Sequence, residues 1–183
     1  METVQAQIKT VFDSLKGEFN YKNVNEAPKI EKVVVSVGTG RVDDKGKIAL
    51  IQDRLAQITG QKPAPRAARM SIATFKLREG DIVGYQVTLR GKRMEDFLNK
   101  LIHVAIPQTR DFRGLKTTSI DEMGNYTLGI KEHTIFPETA DEDIKDVFGM
   151  SVTMVTTANS KPEAEALLRH IGLPLKKKEE DAK

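Results

Sequence analysis

The sequence contains no cysteine, few aromatic residues and no long apolar run. Without cysteine the chain forms neither disulfides nor thiolate metal sites, and thiol-based catalysis is excluded. No apolar run approaches the roughly 20 residues of a membrane-spanning helix. The first nine residues mix polar and charged side chains with apolar ones, which is not typical of a signal or transit peptide. These absences predict a soluble protein of the cytoplasm with no membrane partner.

Positive charge is concentrated in one stretch of the chain. The 183 residues carry a net charge of only +3, which by itself does not indicate a nucleic-acid partner. Residues 60–93, however, contain eight lysines and arginines against two acidic residues. A local excess of this size suits a polyanion, because cations that neutralise phosphates release condensed counterions. The alternative is an ordinary solvated charged surface.

Helical periodicity marks four segments. The first predicted helix covers 3–19, and the second covers 48–58 with Gly60 just past its end, where glycine accepts a left-handed conformation. The strongest period runs over 94–102 and is stopped by Pro107. For the fourth helix, Ser160 and Glu163 predict a capping box, and Gly172 marks the end.

Strands are predicted where β-branched residues alternate with polar ones. Segment 29–37 is the first predicted strand and 151–157 the last. Between them, 74–77 and 82–89 flank a polar tip at 78–81 and predict a hairpin. The preceding stretch, 61–70, contains two prolines and no apolar period, so it is predicted to be a basic loop.

The alternation also assigns the faces of the predicted strands, because successive side chains point to opposite sides. In segment 82–89 one face is apolar, whereas the other carries Gln86 and Thr88 and leads to Arg90. Hairpins and polar-faced strands favour an α+β fold. We expect an antiparallel β-sheet with helices packed on one face and the other face open for RNA.

Catalytic and metal-binding patterns are weak. Gly38-Thr39-Gly40 follows a strand, but Asp43 stands where the dinucleotide fingerprint needs its third glycine, and a glycine-rich strand end is the simpler interpretation. The three histidines lie far apart, without the spacing of metal ligands. We therefore predict no catalytic residue, no metal, no cofactor and no enzymatic activity.

Two further features each allow two interpretations. The acidic segment 138–146 is either a solvated surface or a docking site for a basic partner. Phe75 and Tyr85 lie among basic residues and could stack on bases, but aromatic residues at strand positions belong more often to a core.

Eight short motifs follow one another in a recognisable order and spacing. They are residues 28–32 (PKIEK), 59–63 (TGQKP), 71–73 (SIA), 75–80 (FKLREG), 87–91 (VTLRG), 110–115 (RDFRGL), 124–126 (GNY) and 135–138 (IFPE). In these motifs the chain resembles the bacterial L5 family of large-subunit ribosomal proteins. The resemblance covers about residues 19–173.

The resemblance implies a ribosome-bound protein that binds 5S ribosomal RNA and anchors it in the central protuberance of the large subunit. Carried over residue by residue, the 5S RNA contacts fall on Lys29, Lys32, Ser36, Gly38, Gln61, Lys62, Thr88 and Arg90. To these we add Arg66 and Arg69 of the predicted basic loop. The set largely overlaps the polar sheet face inferred from alternation.

Further partners also follow from the resemblance. The hairpin tip would approach peptidyl-site tRNA through Lys76, Arg78, Glu79 and Gly80. A small-subunit head ribosomal protein would meet Phe136, Asp141, Glu142 and Asp143. Large-subunit ribosomal RNA and other ribosomal proteins of the central protuberance are expected as neighbours.

The chain also departs from the family pattern. Ser36 stands where asparagine is usual, and Ala67, Met70 and Gln108 stand where basic residues are usual. Because serine has a shorter reach than asparagine, a direct RNA contact at position 36 is weakened.

The length favours one RNA-binding domain over residues 1–183, with an N-terminal helix at 3–19, a basic loop and hairpin at 60–90 and a charged tail at 176–183. Two rival functions are a non-ribosomal RNA-binding regulator and an enzyme acting on nucleotides. Association with ribosomal particles at high salt argues against the first, and absence of nucleotide binding argues against the second.

Overall fold

The computed structural model describes residues 3–42, 44–141 and 144–176. Of the predicted charged tail, only Lys176 falls within these ranges. The described residues form two compact units. Unit 1 comprises those of Met1–Val33, Arg90–Leu128 and Thr153–Lys183, and unit 2 comprises those of Val34–Leu89 and Gly129–Val152.

The described part contains four α-helices and five strands, which confirms the predicted α+β class. The helices are α1 (Val4–Phe19), α2 (Lys45–Thr59), α3 (Gly91–Lys100) and α4 (Lys161–His170). The strands are β1 (Ile30–Gly38), β2 (Ala64–Ala67), β3 (Ile82–Leu89), β4 (Tyr126–Ile130) and β5 (Met150–Thr156). They form one antiparallel sheet in the order β2-β3-β1-β5-β4.

Burial alternates along the inner strands, as the sequence pattern predicts. In β1, Val33, Val35 and Val37 are at most 4% exposed, while the residues between them are half-buried. The same alternation runs through β5 and through β3 from Tyr85 to Leu89. One side of each strand therefore enters the apolar core.

The prediction that residues 74–77 form the first strand of a hairpin is wrong. Residues 74–77 form no strand, since Ala73–Phe75 is a single 3₁₀ turn closed by a bridge between Ile72 and Leu77. The antiparallel partner of β3 is β2, with Pro65 opposite Tyr85, in a region predicted to be loop. All four residues of β2 are exposed, so no burial pattern identifies it in the sequence.

In unit 1, α1 packs against α3 and α4. The backbone N–H of Val4 donates to Asn99 Oδ1 at 2.8 Å, which satisfies one donor of the first turn of α1. His170 Nε2 lies 3.0 Å from both Thr10 Oγ1 and the Gln7 carbonyl oxygen. The predicted helix over 94–102 is confirmed, and it continues as one π turn, Leu101–Ala105, before Pro107.

The predicted capping box of α4 is wrong. The side chain of Ser160 makes no capping hydrogen bond within the described structure. Glu163 accepts instead from the Asn159 N–H at 2.7 Å and from the Tyr21 hydroxyl. Burial and the hydrogen bond to Glu163 raise the pKa of Tyr21 well above its ordinary value, so the phenol remains a donor at neutral pH. The hydrogen bond between Tyr21 and Glu163, which are 142 residues apart in the sequence, thus takes the place of the local cap.

In unit 2, α2 ends at Gly60 as predicted, but it begins at Lys45, before the predicted segment 48–58. Asp44 Oδ1 accepts from the Gly46 N–H at 2.8 Å as the N-cap, and Gly60 has a φ of 67° at the C-cap. Lys47 Nζ donates to the Lys145 carbonyl oxygen at 2.8 Å. His133 is fully buried and stacks on Phe148 with ring centroids 3.9 Å apart.

Among the described residues, none of the helices combines the length and apolarity needed to cross a membrane.

Candidate nucleic-acid interface

The polar side of β1 carries two of the predicted RNA-binding residues. Ser36 lies between the buried Val35 and Val37, Lys32 directly precedes the buried Val33, and both residues are half-buried. Lys32 Nζ is 3.6 Å from the Glu31 carboxylate, and the two side chains are 30% and 53% exposed. An ion pair this exposed contributes little to stability, so the lysine is available to an anion.

Ser36 has a protein partner. Its hydroxyl lies 2.9 Å from the Ser151 hydroxyl on β5, and Ser151 also approaches the Ser36 carbonyl oxygen at 3.4 Å. In unit 1 the same kind of cross-strand pair joins Thr127 and Thr153 at 3.1 Å. Each hydroxyl keeps a free lone pair or proton for a second partner, because a hydroxyl both donates and accepts.

Gln61 and Thr88 are brought together in unit 2. Thr59 Oγ1 donates to the Leu55 and Gln61 carbonyl oxygens at 2.7 and 3.1 Å, which fixes the chain just after α2. The Gln61 amide then lies 3.5 Å from the Thr88 carbonyl oxygen. Lys62, the next residue, is exposed. The local fold therefore places the Gln61 amide beside β3, and the exposed Lys62 follows it in sequence.

The arginines predicted to bind 5S RNA from a loop lie on and just after the edge strand. Arg66 is on β2 opposite Gly84, and Arg69 follows two residues after the strand ends. Both are exposed, and neither forms an ion pair with a carboxylate that the structure describes. Pro65 has no N–H, which lowers the tendency of this edge to pair with another strand.

The connection from β2 to β3, residues 68–81, is held by its own hydrogen bonds. Ala68 and the 80–81 turn exchange backbone bonds of 2.8 and 3.1 Å, and Asp81 Oδ2 accepts from the Arg78 N–H at 2.8 Å. The Glu79 N–H donates to Ser71 Oγ at 3.0 Å. Lys76, Arg78, Glu79 and Gly80 are all exposed on this framework. The segment is thus an ordered hairpin extension with a polar tip.

Three large apolar side chains are also exposed on this extension, which the sequence interpretation missed. Met70, Ile72 and Phe75 are 66%, 38% and 63% exposed. Tyr85, in contrast, is 5% exposed and belongs to the core, so only one of the two candidate stacking aromatics is accessible. Met70 and Ile72 lie outside the predicted helices and strands, where an apolar residue has no predicted core to enter, whereas Phe75 falls in the segment 74–77 that was predicted to be a strand.

Of the remaining predicted RNA-binding residues, Lys29 and Arg90 belong to unit 1 and Gly38 belongs to unit 2. The Lys29 N–H donates to Thr157 Oγ1 at 2.9 Å, while the lysine side chain is exposed. Arg90 is the exposed N-cap residue of α3 and makes no side-chain capping bond in the described structure. Gly38, predicted with this group, is exposed in unit 2 at the end of β1 and has open space around it.

The predicted small-subunit contact is only partly available. Phe136 is fully buried, so a partner contact at this position would involve its backbone and not its side chain. Its backbone carbonyl oxygen accepts a hydrogen bond from the Thr139 N–H at 3.0 Å. Asp141 is exposed, whereas Glu142 and Asp143 lie outside the described residues.

Within 3–42, 44–141 and 144–176, no three His, Asp or Glu side chains converge as metal ligands do. The Nδ1 atom of His133 accepts from the Phe148 N–H at 3.3 Å, so this histidine has a structural role.

Comparison with known proteins gives consistent matches along the chain. The family described as "Ribosomal protein L5" matches residues 23–78, and the family described as the C-terminus of the same ribosomal proteins matches residues 82–175. These two matches together span most of the sequence.

Individual relatives are similar over nearly their whole length. "Large ribosomal subunit protein uL5" of Malacoplasma penetrans is 50% identical over 173 residues, 94% of this chain and 92% of the relative. The protein of the same name from Natranaerobius thermophilus is 50% identical over 161 residues, 87% of this chain and 90% of its own. That of Anaeromyxobacter sp. is 45% identical over 169 residues, covering 92% and 94%.

Proposed function

The chain belongs to the ribosomal protein L5 family, and on this premise we propose that it binds 5S ribosomal RNA through the polar side of its sheet and anchors that RNA in the central protuberance. Membership makes the protein a non-enzymatic structural constituent of the large ribosomal subunit, bound to ribosomes in the cytoplasm. The RNA contact and its residues are the proposal.

The observation that carries the proposal is the alternation along β1 and β3. From Val33 to Val37 and from Tyr85 to Leu89 every second residue is buried, and the half-buried residues between them include Ser36, Gln86 and Thr88. Lys32, just before Val33, is also half-buried. Exposed cations adjoin these strands in sequence at Lys29 and Arg90. A polar strand side with cations at its margins suits a polyanion better than a protein core.

Each residue type has a role that its chemistry allows. Lys29, Lys32, Lys62, Arg66, Arg69 and Arg90 supply positive charge for phosphate oxygens. The hydroxyl of Ser36 and the amide of Gln61 hydrogen-bond to ribose or phosphate, and Gly38 lets the backbone approach closely. Because an A-form helix hides its major-groove edges, recognition rests on backbone shape more than on base identity. In this proposal the whole chain, 1–183, acts as one RNA-binding domain.

The test is a binding titration of the purified chain across salt concentrations, with 5S ribosomal RNA and an unrelated RNA of equal length. We expect tighter binding to 5S RNA that persists at physiological salt, because shape-matched contacts add to the general phosphate attraction. Equal and equally salt-sensitive binding to both RNAs would refute the proposal. It would favour a non-ribosomal RNA-binding regulator with a general basic surface.

We propose two further contacts in the assembled ribosome. The hairpin extension 68–81 meets peptidyl-site tRNA, with Lys76 and Arg78 on phosphates and Glu79 and Gly80 at the tip. The acidic segment around Asp141 meets a basic protein of the small-subunit head, since complementary charge sets register and speeds association. Large-subunit ribosomal RNA and other proteins of the central protuberance complete the set of neighbours.

Ribosomes reconstituted with charge-reversal variants test both contacts in one experiment. Lys76→Glu with Arg78→Glu should weaken peptidyl-site tRNA binding severalfold and leave subunit joining intact, because only the tip changes charge. Asp141→Lys should do the reverse. Unchanged tRNA affinity would remove the first contact, and unchanged subunit joining would remove the second.

A further inference from the structure

Two serine hydroxyls on neighbouring strands of unit 2 form a polar pair. Ser36 Oγ on β1 lies 2.9 Å from Ser151 Oγ on β5, and Ser151 Oγ also lies 3.4 Å from the Ser36 carbonyl oxygen. Both serines alternate with buried residues along their strands, so their side chains point away from the core. Both remain partly exposed, which leaves the hydroxyls open to a partner. We call Ser36 and Ser151 the serine pair.

The next positions at one end of the serine pair carry no side chain. Gly38 lies two residues after Ser36, and Gly149 lies two residues before Ser151. Because β1 and β5 are antiparallel neighbours, both glycines follow the pair toward the same end of the strands. Both glycines are exposed, and nothing lies within 4 Å of the position that a Cβ of Gly38 would take. A partner can therefore approach the serine pair from this end without meeting a side chain at either position.

The hydrogen bonds within the serine pair let Ser36 act as either a donor or an acceptor. Each hydroxyl has one proton and two lone pairs. When Ser151 donates to Ser36 Oγ, the Ser36 proton is free for a partner. When Ser36 donates to Ser151 Oγ, Ser151 can donate to the Ser36 carbonyl oxygen, and Ser36 Oγ accepts from a partner through its lone pairs. Rotation of the two hydroxyl protons interconverts these arrangements.

A ribose 2′-hydroxyl suits this adaptable pair better than a phosphate does. The 2′-hydroxyl both donates and accepts, so it can bind either arrangement. Phosphate oxygens only accept, and they form their strongest hydrogen bonds with charged donors, which the serine pair does not supply. The serine pair is therefore suited to a neutral group that both donates and accepts.

We propose that Ser151 is a positioning residue for RNA recognition, which holds the Ser36 hydroxyl so that it binds a ribose 2′-hydroxyl of 5S ribosomal RNA. This inference rests on the proposed 5S RNA contact, and it adds a second residue and the sugar group that is recognised. A contact to the 2′-hydroxyl distinguishes RNA from DNA at one site. It depends on hydrogen bonding and involves no change of charge.

The first experiment measures binding of the full-length chain to 5S ribosomal RNA for Ser36→Ala, Ser151→Ala and the double variant. Each single replacement should weaken binding about fivefold, the loss expected for one hydrogen bond. The double variant should bind within about twofold of either single variant, because the two residues act as one unit. The slope of log affinity against log salt should stay that of the wild type, since no charge is removed. Ser36→Asn combined with Ser151→Ala should recover binding, because an amide both donates and accepts and has a longer reach.

The second experiment removes hydroxyls from the RNA. 5S RNA with sparse 2′-deoxy substitutions and phosphorothioate tags is separated into bound and free fractions and mapped by iodine cleavage. With the wild type, the bound fraction should be depleted of 2′-deoxy substitution at the position that meets Ser36. With Ser36→Ala or Ser151→Ala this depletion should vanish while depletion elsewhere remains, which a purely structural role of Ser151 would not produce. A matched control, Thr127→Ala, breaks the same kind of cross-strand pair in unit 1 and should change neither the affinity nor the map.

The outcomes separate this inference from the proposed 5S contact. Wild-type binding no tighter to 5S RNA than to an unrelated RNA would refute the proposed function and this inference with it. If the wild type preferred 5S RNA and Ser151→Ala bound equally well with an unchanged map, only the role of Ser151 would be overturned. Losses that multiplied in the double variant, or appeared equally in Thr127→Ala, would overturn the paired action. A map that responded to neither serine replacement would overturn the assignment to ribose. A thermal melt of each variant verifies that the fold is retained.

Discussion

Replacing Gly84 by alanine should destabilise the protein by roughly 3 kcal/mol, the upper part of the range for inserting a group where there is no room. Gly84 is buried in β3, and a Cβ at this position would lie 2.6 Å from the Val37 carbonyl oxygen on β1. The obstacle is backbone, which cannot rotate away as a side chain tip can. The two strands must move apart or twist. Thermal denaturation should show a midpoint lower by about 6–12 °C for a chain of this size.

A matched substitution isolates this close approach. Gly129 lies in β4, is exposed, and has nothing within 4 Å of the position that a Cβ would take. Gly129→Ala should therefore change stability by less than about 0.5 kcal/mol. If the Gly84→Ala and Gly129→Ala variants had the same melting temperature, β3 and β1 would leave room for a Cβ at position 84, contrary to the 2.6 Å distance to the Val37 carbonyl oxygen.

Segments whose structure is set locally could be predicted from the sequence. The helix periods of α1, α2 and α3 and the alternation of β1, β3 and β5 depend on a single face becoming buried, and the structure has that face in each case. The left-handed end of α2 at Gly60 is equally local, because only glycine adopts that conformation without strain.

The failures all involve contacts from outside the segment. Strand β2 is exposed at every position and exists because β3 pairs with it, so its sequence needs no apolar alternation. Residues 74–77 have good strand propensity, but the partner side of β3 is occupied by β2. At α4, Tyr21 competes for the carboxylate of Glu163 that the capping box requires.

In the candidate site, too, features set within one strand could be predicted, and features set by contacts with other segments could not. Strand alternation by itself places Lys32 and Ser36 on the same half-buried side of β1, since this is a property of one strand. It could not predict that Ser36 meets Ser151 on β5 or that Phe136 is fully buried. The parallel bridge between Leu115 and Leu175 is the extreme case, because it joins residues 60 positions apart. The periodicity of either segment does not reveal such a pairing.

The second large effect is expected at the polar side of the sheet. The variant Lys32→Gln with Arg90→Gln should bind 5S ribosomal RNA roughly 10- to 100-fold more weakly at physiological salt, because each charge-assisted contact to phosphate is a strong one. The plot of log affinity against log salt should flatten by about 2, since two fewer counterions are released. Filter binding across a salt series measures both quantities.

Neither replacement should unfold the protein, which makes the binding result interpretable. The Lys32–Glu31 ion pair is largely exposed, and Arg90 makes no capping bond to α3 within the described structure. Lys9→Gln with Lys161→Gln removes the same charge from exposed helix positions, so it corrects for the general field of the chain. If this control weakened 5S RNA binding as much as the sheet variant, net charge alone would account for the affinity. If only the sheet variant did so and the salt dependence flattened with it, the phosphates would lie against Lys32 and Arg90.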